Sequence, residues 1–152
     1  MNEIKTGIEE QNNNDRKNNE PKQIIVINKS LNMSSSKMAA QVSHASLGCL
    51  LKSFEIKESE NGNAVIHAEF DFDSALILWL KKRFTKVVLY VKSEEKLLEV
   101  YKKVQDAGLV SVLIQDAGFT FFDKPTYTCV GIGPDFPEKM EPVVGKLQVL
   151  KD

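Results

Sequence analysis

The segment Gln23-Ile24-Ile25-Val26-Ile27-Asn28 constrains the fold more than any other. Four consecutive β-branched aliphatic residues leave no polar face. A strand with one wet face alternates apolar and polar side chains, so a continuous run needs cover on both sides. Helices must therefore lie above and below this strand, and the chain reads as an α/β protein.

The rest of the sequence supplies those layers. Lys86–Val91, Val110–Ile114 and Tyr127–Ile132 read as three further strands. From Lys37 onward, Met38, Val42, Ala45 and Cys49 recur at helical spacing, amid small residues that permit close packing. Asp73 or Ser74 caps a short helix carrying Leu76, Leu78 and Trp79. Ser93-Glu94-Glu95 opens another, which closes at Gly108. A Pro-punctuated helix over 134–145 and a closing segment over 146–150 complete the chain. The spacing predicts a three-layer α/β/α domain with a small mixed sheet of four strands. Crossovers that carry helices join parallel strands in a right-handed sense. The short connection 116–126 favours an antiparallel pair. Residues 57–73 are polar around an Asn61-Gly62 turn, with a short strand expected within Ala64–Phe70.

Composition sets the limits of this reading. Residues 1–21 are nearly devoid of apolar side chains after Ile8, which predicts a disordered tail; the domain occupies 22–152. Cys49 and Cys129 form no CxxC pair and read as small buried hydrophobes. No apolar run approaches the ~20 residues that span a bilayer, and the first residues resemble neither a signal nor a transit peptide. A cytoplasmic protein without membrane partners is expected. Net charge is −1, so no strong electrostatic attraction to nucleic acid is written in the total, and DNA is not an expected partner. The densest basic cluster, Lys81, Lys82, Arg83 and Lys86, reads first as a solvated helix end and second as a phosphate contact.

Three ordered segments carry a family resemblance. Lys37-Met38-Ala39-Ala40-Gln41-Val42-Ser43-His44-Ala45, Leu113-Ile114-Gln115-Asp116-Ala117-Gly118 and Thr128-Cys129-Val130-Gly131-Ile132-Gly133-Pro134 resemble the signatures of the type 2 peptidyl-tRNA hydrolases. The resemblance spans about residues 23–150. It implies hydrolysis of the ester joining a peptide to the terminal ribose of tRNA, which recycles tRNA from aborted translation. It also implies a homodimer, peptidyl-tRNA as partner, and neither metal nor cofactor. It places the catalytic residues at Lys37, Asp116 and Thr128, and substrate-binding residues at Gln41, His44 and Thr120; Phe119, which departs from the family, reads from its own chemistry as a further substrate contact.

The residues themselves suit such chemistry. Lys37, Gln41 and His44 are spaced i, i+4, i+7 and share a helix face. A lysine in a helix's first turn opposes the dipole, which argues against a purely structural role. Asp116 follows a strand directly, where α/β sheets bind ligands. Asp116 positioning or deprotonating a water, Lys37 stabilising an oxyanion, and Thr120 or Thr128 orienting the water make a coherent set. Each has a plainer structural reading: a turn cap for Asp116, a solvated side chain for Lys37, a packed core imidazole for His44, packing alone for Thr128. The pattern also departs from the family. Phe119 and Phe121 stand where arginine and glutamine are usual, Ser34-Ser35-Ser36 replaces a Gly- and Lys-rich loop, and 57–73 is longer than the family needs. These departures leave open a second reading, a family member that has lost catalysis and binds RNA or a protein.

Overall fold

The computed structural model describes residues 19–151. The expected disordered tail, 1–21, lies outside the described residues except for Asn19–Pro21. There Glu20 accepts hydrogen bonds from the Arg83 guanidinium, at 2.5 Å, and from Lys82.

The strands are β1 (Lys22–Asn28), β2 (Glu55–Glu58), β3 (Ala64–His67), β4 (Lys86–Val91), β5 (Ser111–Asp116), β6 (Thr126–Asp135) and β7 (Gln148–Val149). The helices are α1 (Ser35–Leu51), α2 (Ala75–Lys81), α3 (Glu94–Asp106) and α4 (Pro137–Val144). Ser34, Ser74 and Ser93 cap the first three, each accepting a backbone N–H from its own first turn.

The main sheet runs β5-β6-β1-β4-β7 and is mixed. β1 pairs with β4 in parallel and with β6 in antiparallel fashion, and β5 is antiparallel to β6. So β1, β4 and β5 all point one way, and their C-terminal ends share one edge. The expected four strands are joined by a fifth, β7, which adds two residues beside β4. Two residues are too few to show a period in sequence.

β1 is central and buried on both faces, as its apolar run requires. Ile24 and Val26 face a core built with Leu97, Val100 and Val104 of α3 and Met140 and Val144 of α4. Ile25 and Ile27 face the opposite core, with Ala45 of α1 and Cys129 of β6. Three layers result. Residues 55–67 form a hairpin, β2 against β3, that includes the expected short strand and whose eight strand residues are all exposed.

Two features seat α1 on the sheet. Gln23 is buried, and its amide nitrogen donates to the Ser46 carbonyl at 3.2 Å while its amide oxygen accepts from the Ser46 hydroxyl at 2.6 Å. Gly131 lets the helix backbone come close: a Cβ there would meet Ala45 O at 2.7 Å and Cys49 Sγ at 2.8 Å. The small residues noted on this helix are what the close approach uses.

Candidate active site

α1 begins just after a 3₁₀ turn, Lys29–Leu31, that follows β1. Its N-terminus therefore stands at the edge where β1 and β5 end. Lys37, in the first turn, meets Asp116, the last residue of β5. The Lys37 ammonium donates to Asp116 Oδ2, and the two side chains are only 14% and 13% exposed. Gln41, one turn further along α1, donates from its amide nitrogen to the same oxygen at 3.1 Å. Asp116 Oδ1 accepts the Gly118 N–H at 3.0 Å. Asp116 therefore closes its own turn with one oxygen and grips the helix with the other.

Behind this pair lies a buried relay. Thr128 Oγ1 donates to Gln41 Oε1 at 2.6 Å, which turns the Gln41 amide so that its nitrogen faces Asp116. Gln41 and Thr128 are both buried, yet no buried side-chain polar atom among the described residues lacks a partner. The backbone of β6 makes this contact possible. Ile114 pairs with Cys129 and Gln115 with Tyr127, so Thr128 is an extra, bulged residue. Regular alternation would put Thr128 on the same face as Val130, toward α3. The bulge swings it to the α1 face beside Cys129 and sends Tyr127 to the other core.

The electrostatics follow from the contacts. The Lys37 ammonium above all, together with the Gly118 N–H and the Gln41 amide, holds the Asp116 carboxyl below the usual carboxylate range, with partial burial opposing them. Asp116 is thus an ionised anchor and a weak base near neutrality. Lys37 also lies 5.6 Å from the centre of the Phe122 ring. That aromatic wall had no signal in the sequence beyond a cluster of three phenylalanines.

The structure brings together Lys37, Gln41, Asp116 and Thr128. It does not bring His44, Thr120 or Phe119 into the hydrogen-bonded cluster. His44 is exposed on α1 rather than packed in the core, because it lies about 60° round the helix from Gln41 and about 100° from Ala45, off the buried stripe. Thr120 is exposed in the β5–β6 loop, and Phe119 is 91% exposed. Thr128, expected to be catalytic, is fully buried and donates its hydroxyl to Gln41. In the basic cluster at the end of α2, Lys82 and Arg83 hold Glu20, Lys81 covers the Phe72 ring, and Lys86 covers Trp79. Trp79 itself is core, its indole N–H donating to Thr85 O at 2.9 Å. A cavity of about 630 Å³ opens on the other flank of α1, lined by Met33, Met38, Val42 and Leu150. Neither Lys37 nor Asp116 lines it.

A lysine–carboxylate pair at a helix N-terminus, on the C-terminal edge of a mixed sheet, defines a small α/β enzyme whose site is built for an anionic or carbonyl group. Comparison with known proteins names the kind. The family described as Peptidyl-tRNA hydrolase PTH2 matches residues 21–150. The chain is 39% identical over 130 residues to a peptidyl-tRNA hydrolase of Methanopyrus kandleri, covering 86% of this chain and 98% of that one. It is 41% identical over 128 residues to one from Methanococcus maripaludis, covering 84% and 97%. A third, from Methanothermobacter thermautotrophicus, is 35% identical over 129 residues, covering 85% and 99%. This chain belongs to the type 2 peptidyl-tRNA hydrolase family.

Proposed function

We propose that the protein hydrolyses the ester of peptidyl-tRNA at Lys37 and Asp116. The ion pair between them, braced by Gln41 and Thr128 at an accessible sheet edge, is the observation that carries this assignment of roles. The relatives' shared name supplies the substrate.

The roles follow from the contacts. Asp116 Oδ1 accepts one N–H and keeps a second lone pair for a water. Lys37 supplies the positive charge for the carbonyl oxygen as attack makes it an oxyanion, and the first N–H groups of α1 point to the same edge. Water oxygen bonds to the carbonyl carbon while its proton passes to Asp116. The ester C–O bond then breaks, and the proton goes on to the departing ribose oxygen. A carboxylate held below its usual range keeps that proton only briefly. Gln41 and Thr128 hold Asp116 at its angle and touch no substrate.

Charge distribution supports an RNA substrate in a way the total hides. Residues 55–73 hold six acidic side chains and one lysine, whereas the rest of 22–152 holds sixteen basic and ten acidic. The body that carries the site is thus basic, and the acidity is gathered in the hairpin and the segment that follows it. Cytoplasmic location and a homodimer belong to this reading through the substrate and the family. Light scattering on the purified protein tests the dimer.

The decisive assay is release of labelled peptide from peptidyl-tRNA by the purified protein. Lys37→Ala and Asp116→Ala should each lower kcat/KM by about 10²-fold or more, the scale of losing one electrostatic stabiliser, with folding verified by circular dichroism. Wild-type rates in both folded variants would sink the assignment.

A further inference from the structure

The loop joining β5 to β6 carries aromatic rings that the proposed hydrolytic step does not use. Phe122 is half-buried against the α1 core and lies beside the Lys37 ammonium. Phe121 meets it edge-to-face, with ring centres 4.9 Å apart, and is itself exposed. Phe119, 91% exposed, stands between this pair and the Gly118 turn. Phe122 and Phe121 thus lead from the ion pair toward solvent, and Phe119 lies in the same loop. The base of the loop is fixed: Gly118 has φ +83°, its N–H is held by Asp116, and its α-carbon lies so close to the Lys124 backbone that no Cβ fits. Only Ala117 and Gly118 separate Phe119 from Asp116, so their α-carbons lie within roughly 10 Å of each other.

We infer that Phe119 is a stacking platform for an unpaired base at the 3′ end of the tRNA, next to the ester held by Lys37 and Asp116. This rests on the peptidyl-tRNA reading above. The ester sits on the ribose of the last nucleotide, so that base is one sugar away from the reacting carbonyl. A ring exposed on both faces offers a surface for stacking and no wall for enclosure. Every base has a π face, so stacking suits a contact common to all substrates. A peptide side chain changes with each nascent chain and would need a shaped pocket. Phe119 packs into no core, so replacing it removes no packing.

The test measures binding, separately from hydrolysis. The probe is an RNA minihelix with a single-stranded 3′ end. Its last adenine is replaced by 2-aminopurine, and an N-acetylated amino acid is joined through an amide that resists cleavage. A second probe lacks the terminal base. The wild-type protein should quench the 2-aminopurine and bind the abasic probe roughly 5- to 150-fold more weakly, the span of one aromatic–base stack. Phe119→Ala should bind the intact probe as weakly as wild type binds the abasic one, without quenching, and lose nothing more on the abasic probe. Phe119→Trp should restore both affinity and quenching. Unchanged affinity in Phe119→Ala overturns the inference. So does an equal loss on both probes, which would move the contact to the peptide or elsewhere on the RNA. Hydrolysis of ordinary peptidyl-tRNA without this coupling defeats the inference alone. Coupling without hydrolysis defeats the catalytic reading alone. No binding of either probe together with no hydrolysis of peptidyl-tRNA by the wild type defeats both.

Discussion

Gly131→Ala should weaken the fold and the site together. A Cβ at 131 would lie 2.7 Å from Ala45 O and 2.8 Å from Cys49 Sγ, where ordinary contact begins at 3.4 Å. The carbonyl is helix backbone and cannot rotate away, so α1 must lift by about 0.7 Å, the shortfall to normal contact. Gln41 lies one turn earlier on the same buried stripe. Its bonds of 2.6 Å to Thr128 and 3.1 Å to Asp116 would stretch to about 3.3 and about 3.8 Å, the second beyond hydrogen-bond range. Overpacking of this kind costs about 1–3 kcal/mol. For a domain of this size that lowers Tm by roughly 3–15 °C. A displacement approaching 1 Å in a positioning group costs on the order of tenfold or more in rate. Calorimetry and kcat/KM on peptidyl-tRNA read the two effects. A Tm within about 1 °C of wild type would refute the close approach as a constraint. A lowered Tm with an unchanged rate would refute the coupling between helix seating and the site.

Thr128→Val keeps the shape but strands Gln41 Oε1 in a buried position, which should cost about 1–3 kcal/mol in urea denaturation. Adding Gln41→Met should recover part of that loss, and strict additivity of the two substitutions would deny the relay. Lys37→Met should raise the Asp116 carboxyl toward ordinary values in a carbon-13 titration. Because Asp116 is depressed in the folded state, the Lys37 contribution to stability is full at neutral pH and fades as pH falls through the folded-state value. A stability gap between wild type and Lys37→Met that widens on acidification would contradict this. Burial pushes the Cys49 and Cys129 thiols up to about 12, so neither should react with Ellman's reagent at neutral pH until the domain unfolds. Labelling faster than global unfolding would show that α1 opens locally.

What could be read in the sequence, and what could not, divides along a physical line. The β1 run, the α1 stripe of Met38, Val42, Ala45 and Cys49, and the left-handed Gly108 after α3 are local signals, and each produces the element it suggests. The paired strands of the hairpin lie open on both faces, so no alternation between wet and dry sides marks β2. The site divides in the same way. Lys37 and Asp116 could be picked out because a cation in a first helical turn and a carboxylate at a strand end are locally odd. The role of Thr128 could not, because it depends on a bulge whose existence is set by the register between two strands. Period-two counting puts Thr128 on the wrong face of the sheet and hence out of reach of Gln41. A single inserted position in the ladder reverses that, and through one amide it determines how Asp116 meets Lys37. The bulge is therefore part of the site's construction. Restoring regular alternation by deleting one residue between Tyr127 and Cys129 would leave Lys37 and Asp116 in the chain but remove what aligns them.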